Sequence, residues 1–223
     1  MPRRAVLVTR PEPGLASTSE ALQRQGWEAI ACPMLEIQTY EPIALTDCAA
    51  VALTSANALA ALKNWPRDRL MVTVGAKTAE HARAMGFANV HAADGDAEAL
   101  LEFCRRHNLT GQSLMLACGK GYGLDLAVAL GARRIDAYAV TKRKALTDAA
   151  RDALLSDRVE GVVLYSGKTA EAFMEALGAP ERNALSGVRA LCLSEAIAAR
   201  LTEKDWRAVE WPDPLERLGP FVT

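Results

Sequence analysis

Two rhythms of apolar residues alternate along this chain. Short runs rich in Val and Leu, without polar interruptions, end at Gly, Ser or Thr, and each leads into a stretch where Ala and Leu recur at helical spacing. The Val/Leu runs lack the in-out alternation of half-exposed strands, as strands covered on both faces should. Helices are predicted over 17–25, closed by Gly26; over 55–63, stopped by Pro66; over 78–85, closed by Gly86; and over 97–107. A second set is predicted over 123–130, 169–177 and 195–201. Strand-helix alternation of this kind predicts an α/β protein with parallel sheets and helices on both faces.

The order of units is stated twice. Ala5-Val-Leu-Val-Thr-Arg-Pro is echoed by Ser113-Leu-Met-Leu-Ala-Cys-Gly, and Val51-Ala-Leu-Thr-Ser-Ala-Asn by Val162-Val-Leu-Tyr-Ser-Gly-Lys. Leu70-Met-Val-Thr-Val-Gly has its counterpart in Val188-Arg-Ala-Leu-Cys-Leu-Ser, and Val90-His-Ala-Ala-Asp-Gly-Asp in Val209-Glu-Trp-Pro-Asp-Pro. So long a repeat suggests two similar domains, and the space between two domains is where a ligand is first sought. Two extended, alternating segments break the grammar, Met34-Leu-Glu-Ile-Gln-Thr-Tyr-Glu-Pro and Arg134-Ile-Asp-Ala-Tyr-Ala-Val-Thr-Lys. They read as connectors. If each crosses over, domain 1 holds 1–33 plus 146–223, domain 2 holds 43–134, and 34–42 and 135–145 are linker strands. Simple tandem domains satisfy the same pattern.

The 223 residues, half of them hydrophobic, suffice for two modest cores. A net charge of -1 does not favour nucleic acid as a partner. No apolar run is long enough for a membrane span, and the N-terminus lacks the pattern of a signal peptide. Five cysteines without paired spacing suggest buried free thiols in a reducing compartment. The three histidines have no metal-ligand spacing, so no metal is expected.

In open α/β sheets ligands lie beyond the carboxyl ends of the strands. Those ends carry Thr9-Arg10, Thr54-Ser55, Gly75 through Thr78, Cys118-Gly119-Lys120, Tyr165-Ser166, with Lys168 just beyond, and Ser194. Helix starts at such places present free N–H groups to anions. The substrate-binding candidates are therefore Arg10, Thr54, Ser55, Gly75, Thr78, Gly119, Lys120, Ser166, Lys168 and Ser194. Ser, Thr and Gly are also ordinary caps and turn residues. Gly119-Lys-Gly-Tyr-Gly fits neither of the usual phosphate-loop spacings, which disfavours a nucleotide-dependent enzyme. No nucleophile elbow is present.

The ordered set of strand-end motifs resembles the uroporphyrinogen-III synthase family. The matching pieces are Val8-Thr-Arg-Pro, Leu53-Thr-Ser-Ala-Asn-Ala, Val74-Gly-Ala-Lys-Thr-Ala, Tyr138-Ala-Val, Tyr165-Ser166 and Cys192-Leu-Ser. The resemblance implies two α/β domains joined by a two-stranded linker with the crossed connectivity. It implies a cofactor-free cytoplasmic lyase that cyclises hydroxymethylbilane to uroporphyrinogen III, inverting ring D and losing water. That step serves haem, sirohaem, cobalamin and chlorophyll biosynthesis. A monomer is expected, with the preceding and following enzymes of the pathway as candidate partners and no nucleic acid or membrane. The catalytic residue carried over is Tyr138, on the family's linker tyrosine. Thr78, Ser55, Ser166 and Ser194 fall on its cleft hydroxyl positions. Two departures stand out: Gly121-Tyr-Gly replaces a basic residue after the strand ending at Cys118, and Leu-Ser-Glu-Ala-Ile replaces a Gly-Pro-x-Thr pattern. A rival of another class is a non-catalytic binder or sensor of a polyanionic small molecule.

Overall fold

The structure, a computed structural model, describes residues 4–43, 47–93 and 95–222. Of the segments expected above, positions 1–3, 44–46, 94 and 223 lie outside the described residues. The chain begins β1 (Ala5–Val8), α1 (Gly14–Arg24), β2 (Glu28–Ala31), β3 (Leu35–Thr39) and β4 (Ala50–Leu53). A 3-10 helix (Ala56–Leu62) leads to β5 (Leu70–Thr73), α2 (Ala76–Ala84), β6 (Val90–Ala92) and α3 (Ala97–Arg106). Then come β7 (Leu114–Gly119), α4 (Leu124–Leu130), β8 (Arg133–Lys142), α5 (Asp148–Leu155), β9 (Val159–Leu164) and α6 (Gly167–Ala176). The chain closes with α7 (Ala179–Ala184), β10 (Arg189–Cys192), α8 (Glu195–Ala198), β11 (Ala208–Glu210) and α9 (Pro214–Leu218).

Two compact units result: Met1–Glu36 with Thr141–Thr223, and Ile37–Val140. The chain passes from one unit to the other within β3 and returns within β8. Unit 1 carries the sheet order β11-β10-β9-β1-β2, with every neighbouring pair parallel. The sheet of unit 2 runs β3-β8-β7-β4-β5-β6, parallel from β8 to β6. At its edge, Tyr40 N–H donates to Ala137 O, and further along the same two strands Arg143 N–H donates to Met34 O. One strand's numbers rise as the other's fall, so β3 lies antiparallel to β8.

Both faces of the unit 2 sheet are buried, and successive residues feed opposite cores. Val51, Leu53, Met71, Met115 and Ala117 join one cluster, closed by Leu59, Leu62, Trp65 and Phe87. Ala50, Ala52, Val72, Leu114, Leu116 and Cys118 join the other, against Leu100, Cys104, Leu126 and Leu130. This two-sided burial is why the strands read as continuous apolar runs. In unit 1, Val6, Val8, Val163 and Leu191 pack with Leu22, Trp27 and Leu218. The buried Thr9 hydroxyl donates to Val163 O at 2.6 Å and ties the end of β1 to β9.

Local departures from the expected elements have local causes. The helix expected over 55–63 is a 3-10 helix over Ala56–Leu62 rather than an α-helix; apolar positions three and four apart suit both. β2 escapes the strand pattern because it is a short edge strand, Glu-Ala-Ile-Ala, with only Ile30 buried. α5 starts at a Thr147 side-chain cap on Ala150 N–H, and α9 at an Asp213 cap on Leu215 and Glu216 N–H.

All five cysteines are free and buried. Burial pushes the thiols of Cys32, Cys104 and Cys192 up from 9.0 to about 11. Above pH 9 the unfolded chain loses these protons while the folded chain keeps them, so stability falls as pH rises through that window. The denaturation midpoint should drop between pH 9 and 11, and Cys104→Ala should make the drop shallower.

Candidate functional site

The carboxyl ends of the buried strands form one rim in each unit. On the unit 2 rim, four neighbouring strands, β8, β7, β4 and β5, bring up Tyr138, Gly119-Lys120, Thr54-Ser55 and Gly75. Thr78 follows in the first turn of α2, half-buried, its N–H bonded to Gly75 O at 3.1 Å. Ser55 caps the 3-10 helix by accepting from Asn57 N–H at 3.3 Å. Gly75 precedes α2 with extended backbone and open space where a side chain would stand.

Tyr138 lies inside β8, and its position depends on an irregularity in that strand. Cys118 pairs with Asp136 but Gly119 pairs with Tyr138, leaving Ala137 without a counterpart on β7. An extra residue reverses the in-out alternation beyond it and re-aims side chains. Ala137 and Tyr138, adjacent in sequence, accordingly both join the same core cluster. Tyr138 is only 7% exposed. A Cβ on Gly119 would stand 3.0 Å from Cε2 and Cζ of Tyr138 and 3.1 Å from Cδ2 of Tyr122. Only glycine lets the ring lie this close, and the carbon bearing the hydroxyl therefore sits over the last residue of β7. Lys120, exposed, donates its N–H to Tyr138 O at 2.7 Å.

The sequence reading missed the residue that holds this loop. Arg134 donates from Nε to Tyr122 O at 2.8 Å and from Nη2 to Gly119 O at 3.1 Å. The same Nη2 pairs with Asp136 at 2.6 Å. Its side chain is 18% exposed. The carbonyls of Gly119 and Tyr122 are thus held by one guanidinium, while Gly121 and Gly123 turn the chain with φ of +80° and +69°. The available signal was the Arg-Ile-Asp spacing at the start of the connector, which places both charges on one side of a strand.

The unit 1 rim spans β1, β9 and β10, which lie side by side. Half-buried Arg10 follows β1. Its guanidinium carbon stacks 4.4 Å from the centre of the Tyr165 ring, and Nη1 donates to Thr18 Oγ1 at 3.3 Å. Burial raises the Tyr165 phenol above its ordinary value, opposed by the Thr18 hydrogen bond and the Arg10 charge. Ser166 caps α6 through Thr169 N–H at 3.1 Å and shares a 2.7 Å hydrogen bond with the Thr169 hydroxyl. Lys168 is half-buried in the first turn of α6. Ser194 begins α8 without a side-chain capping bond. An ion-pair network outside the sequence candidates centres on α6: Lys142 pairs with Glu171 at 3.3 Å and with Glu175 at 2.8 Å, and Arg200 also pairs with Glu171. Hydrogen bonding to Lys142, then to Arg200, holds the Glu171 carboxyl below its ordinary value.

The family model described as uroporphyrinogen-III synthase HemD matches residues 16–214. Among solved structures, uroporphyrinogen-III synthetase from Helicobacter pylori superposes with a TM-score of 0.59 at 18% identity, over 96% of this chain and 95% of that one. A mutant uroporphyrinogen III synthase from the extremely thermophilic bacterium Thermus thermophilus gives a TM-score of 0.48 at 17% identity, over 93% and 92%. No curated protein matches by sequence. Among the described residues no helix is long and apolar enough to cross a membrane.

Arg134→Met should leave the Gly119 and Tyr122 carbonyls and Asp136 without this donor. A loss of about 1–3 kcal/mol is expected for a largely buried charged hydrogen-bond partner. Amide exchange at Tyr122, whose N–H bonds Gly119 O at 3.0 Å, should accelerate more than exchange in α3, which the loop does not support.

Proposed function

Since the chain belongs to the uroporphyrinogen-III synthase family, we propose that it cyclises hydroxymethylbilane, that cations, hydroxyls and N–H groups at the strand ends of each unit bind substrate carboxylates, and that Tyr138 assists departure of the hydroxyl group. The family match over residues 16–214 carries the reaction: cyclisation of the linear tetrapyrrole in tetrapyrrole biosynthesis. The local geometry of β7 and β8 supports the assignment of Tyr138.

The substrate supplies much of the reactivity itself. An electron-rich pyrrole expels the hydroxymethyl oxygen, and the carbon left behind is attacked by ring D at its substituted position to give a spiro intermediate. The bond from that ring carbon to its original methylene then breaks and re-forms at the free α-carbon of ring D, which loses its proton as the pyrrole regains aromaticity. The C–O bond breaks, a proton joins the departing oxygen, and water leaves. Catalysis therefore consists largely of folding the chain and holding ring D in place. An acid at the leaving oxygen adds to this. Tyr138 is that acid, its hydroxyl carried to the rim because the ring lies over Gly119. Arg10 and Lys120 hold carboxylates by charge, with Lys168 beside Ser166. Thr54, Ser55, Thr78, Ser166 and Ser194 offer hydroxyls, and the turns at Gly75 and Gly119 offer backbone N–H groups. No cofactor enters this account. The same reading takes the protein as a cytoplasmic monomer that receives its substrate from the preceding enzyme of the pathway and passes its product to the next. Five free, buried cysteines support a reducing compartment.

Purified protein incubated with fresh hydroxymethylbilane should give the type III isomer after oxidation to porphyrin. Formation of type I alone, the spontaneous product, would instead favour a non-catalytic binder of polyanions.

Tyr138→Phe should lower turnover by roughly 10²-fold, the lower range for general acid catalysis, with an unchanged melting temperature because the ring is kept. Tyr138→Ala should in addition destabilise the fold by about 3–5 kcal/mol, as for other large aromatic truncations. Wild-type turnover and isomer ratio in the Phe variant would leave Tyr138 a packing residue.

Arg10→Ala and Lys120→Ala should each weaken product binding, with a larger effect at low salt than at high salt because counterions screen exposed charges. Fluorescence titration at two ionic strengths reads both effects.

A further inference from the structure

Two arginines of unit 1 are seated in the same way. Each lies where the side chain of a helix's first residue would be, and that residue is glycine. Gly14 opens α1 and Gly167 opens α6. A Cβ on Gly14 would collide with the Arg10 guanidinium. One on Gly167 would stand 2.5 Å from Arg200 Nε and 2.8 Å from its Cδ and Cζ. Neither glycine has the left-handed backbone that would require glycine for conformational reasons. Their shared feature is the space they leave for a guanidinium.

The two seats flank one strand end. β9 lies between β1 and β10. Arg10 comes from the end of β1 and covers Tyr165, just beyond β9; Arg200 comes from the turn after β10 and α8 and covers Gly167, two residues further on. β1 and β10 are two strand spacings apart, about 10 Å. Each guanidinium keeps donors in reserve. Arg10 stacks by its face and gives one hydrogen bond to Thr18. Arg200, half exposed, engages Glu171 through Nη1, and Glu171 is shared with Lys142. A planar fork with five N–H donors suits carboxylates.

We propose that Arg200 is a second carboxylate-binding residue, working with Arg10 as a pair across the end of β9 to hold two carboxylates of one polycarboxylate ligand. This rests on the reading of the rim as a tetrapyrrole site and adds a residue that neither the strand-end motifs nor the repeat identified. Gly167 is the positioning element: its missing side chain keeps the Arg200 guanidinium at the rim.

Titration with uroporphyrin III, an octacarboxylate followed by its own fluorescence, tests the pair without requiring turnover. Arg200→Gln should weaken binding by about 3- to 10-fold, between the range for exposed ion pairs and that for hydrogen bonds to charged groups. Gly167→Ala should weaken it in the same direction by displacing the guanidinium while every charge remains. Its melting temperature should not fall, because Ala is the better helix former. Arg106→Gln, which removes a cation paired with Glu102 on α3, should bind as wild type. In the synthase assay Arg200→Gln and Gly167→Ala should raise KM with little change in kcat, the mark of lost uniform binding.

Wild-type affinity in both variants would overturn the proposal. Weakening in Arg200→Gln with none in Gly167→Ala would overturn the seat on Gly167, and an equal loss in Arg106→Gln would reduce the effect to overall charge. A wild-type protein that forms type III while both variants keep wild-type affinity would leave the synthase reading intact and remove only the second arginine. Type I alone from the wild type would remove the synthase reading, and the titration would still decide whether Arg200 binds carboxylates.

Discussion

Burial of the parallel strands on both faces is the constraint from which the rest of this structure follows. Val51 and Leu53 on one side of β4, and Ala50 and Ala52 on the other, are all removed from water. Such strands have no face left for polar chemistry. Their side chains must be apolar, their amides are bound to neighbouring strands, and helices must cover both sides. In sheets of this kind the place open to polar groups is where a strand ends and the chain turns into a helix. That is where the hydroxyls, glycines and cations of this sequence collect, once in each unit.

Close approach is the second theme. Gly119 admits the rings of Tyr138 and Tyr122, Gly14 admits Arg10, and Gly167 admits Arg200. In each case a residue without a side chain lets a large polar or aromatic group lie against backbone at a strand end. The group gains a fixed position without needing a dedicated pocket. A fixed position is what the chemistry requires: the substrate is reactive by itself, and the protein must favour one ring closure over another. Orientation of this kind can supply much of the acceleration of a ring closure.

Electrostatics on the rims is local rather than global. The net charge of the chain is -1, yet Arg10, Arg200, Lys142, Lys120 and Lys168 all stand on or near strand ends. Several are already bound to protein partners, Arg10 to Tyr165 and Thr18, Lys142 and Arg200 to Glu171. Such contacts restrict long side chains, and on the proposed reading they lower the entropy cost of binding. Near-neutral overall charge with cations held at chosen points favours a small polyanion over an extended one such as nucleic acid.

Local pattern along the chain was enough to define the alternation of strand and helix, the doubling of that pattern, the extended nature of both connectors and the polar make-up of the strand ends. Periodicity, glycine and proline punctuation and cap residues all act within one or two turns of chain. The same pattern did not disclose β2, whose burial falls on one residue, or α5, whose start is a single threonine cap. What touches what was settled by tertiary structure. Ala137 has no counterpart on β7, so Tyr138 lies over Gly119; no pattern within β8 alone announces this, because a bulge is defined by the partner strand. Arg134 holds the carbonyls of Gly119 and Tyr122 only because β8 lies beside β7, and Arg200 rests on Gly167 only because β10 lies beside β9. Each such contact joins residues far apart in the chain, whose meeting is fixed by strand register and packing rather than by the residues on either side.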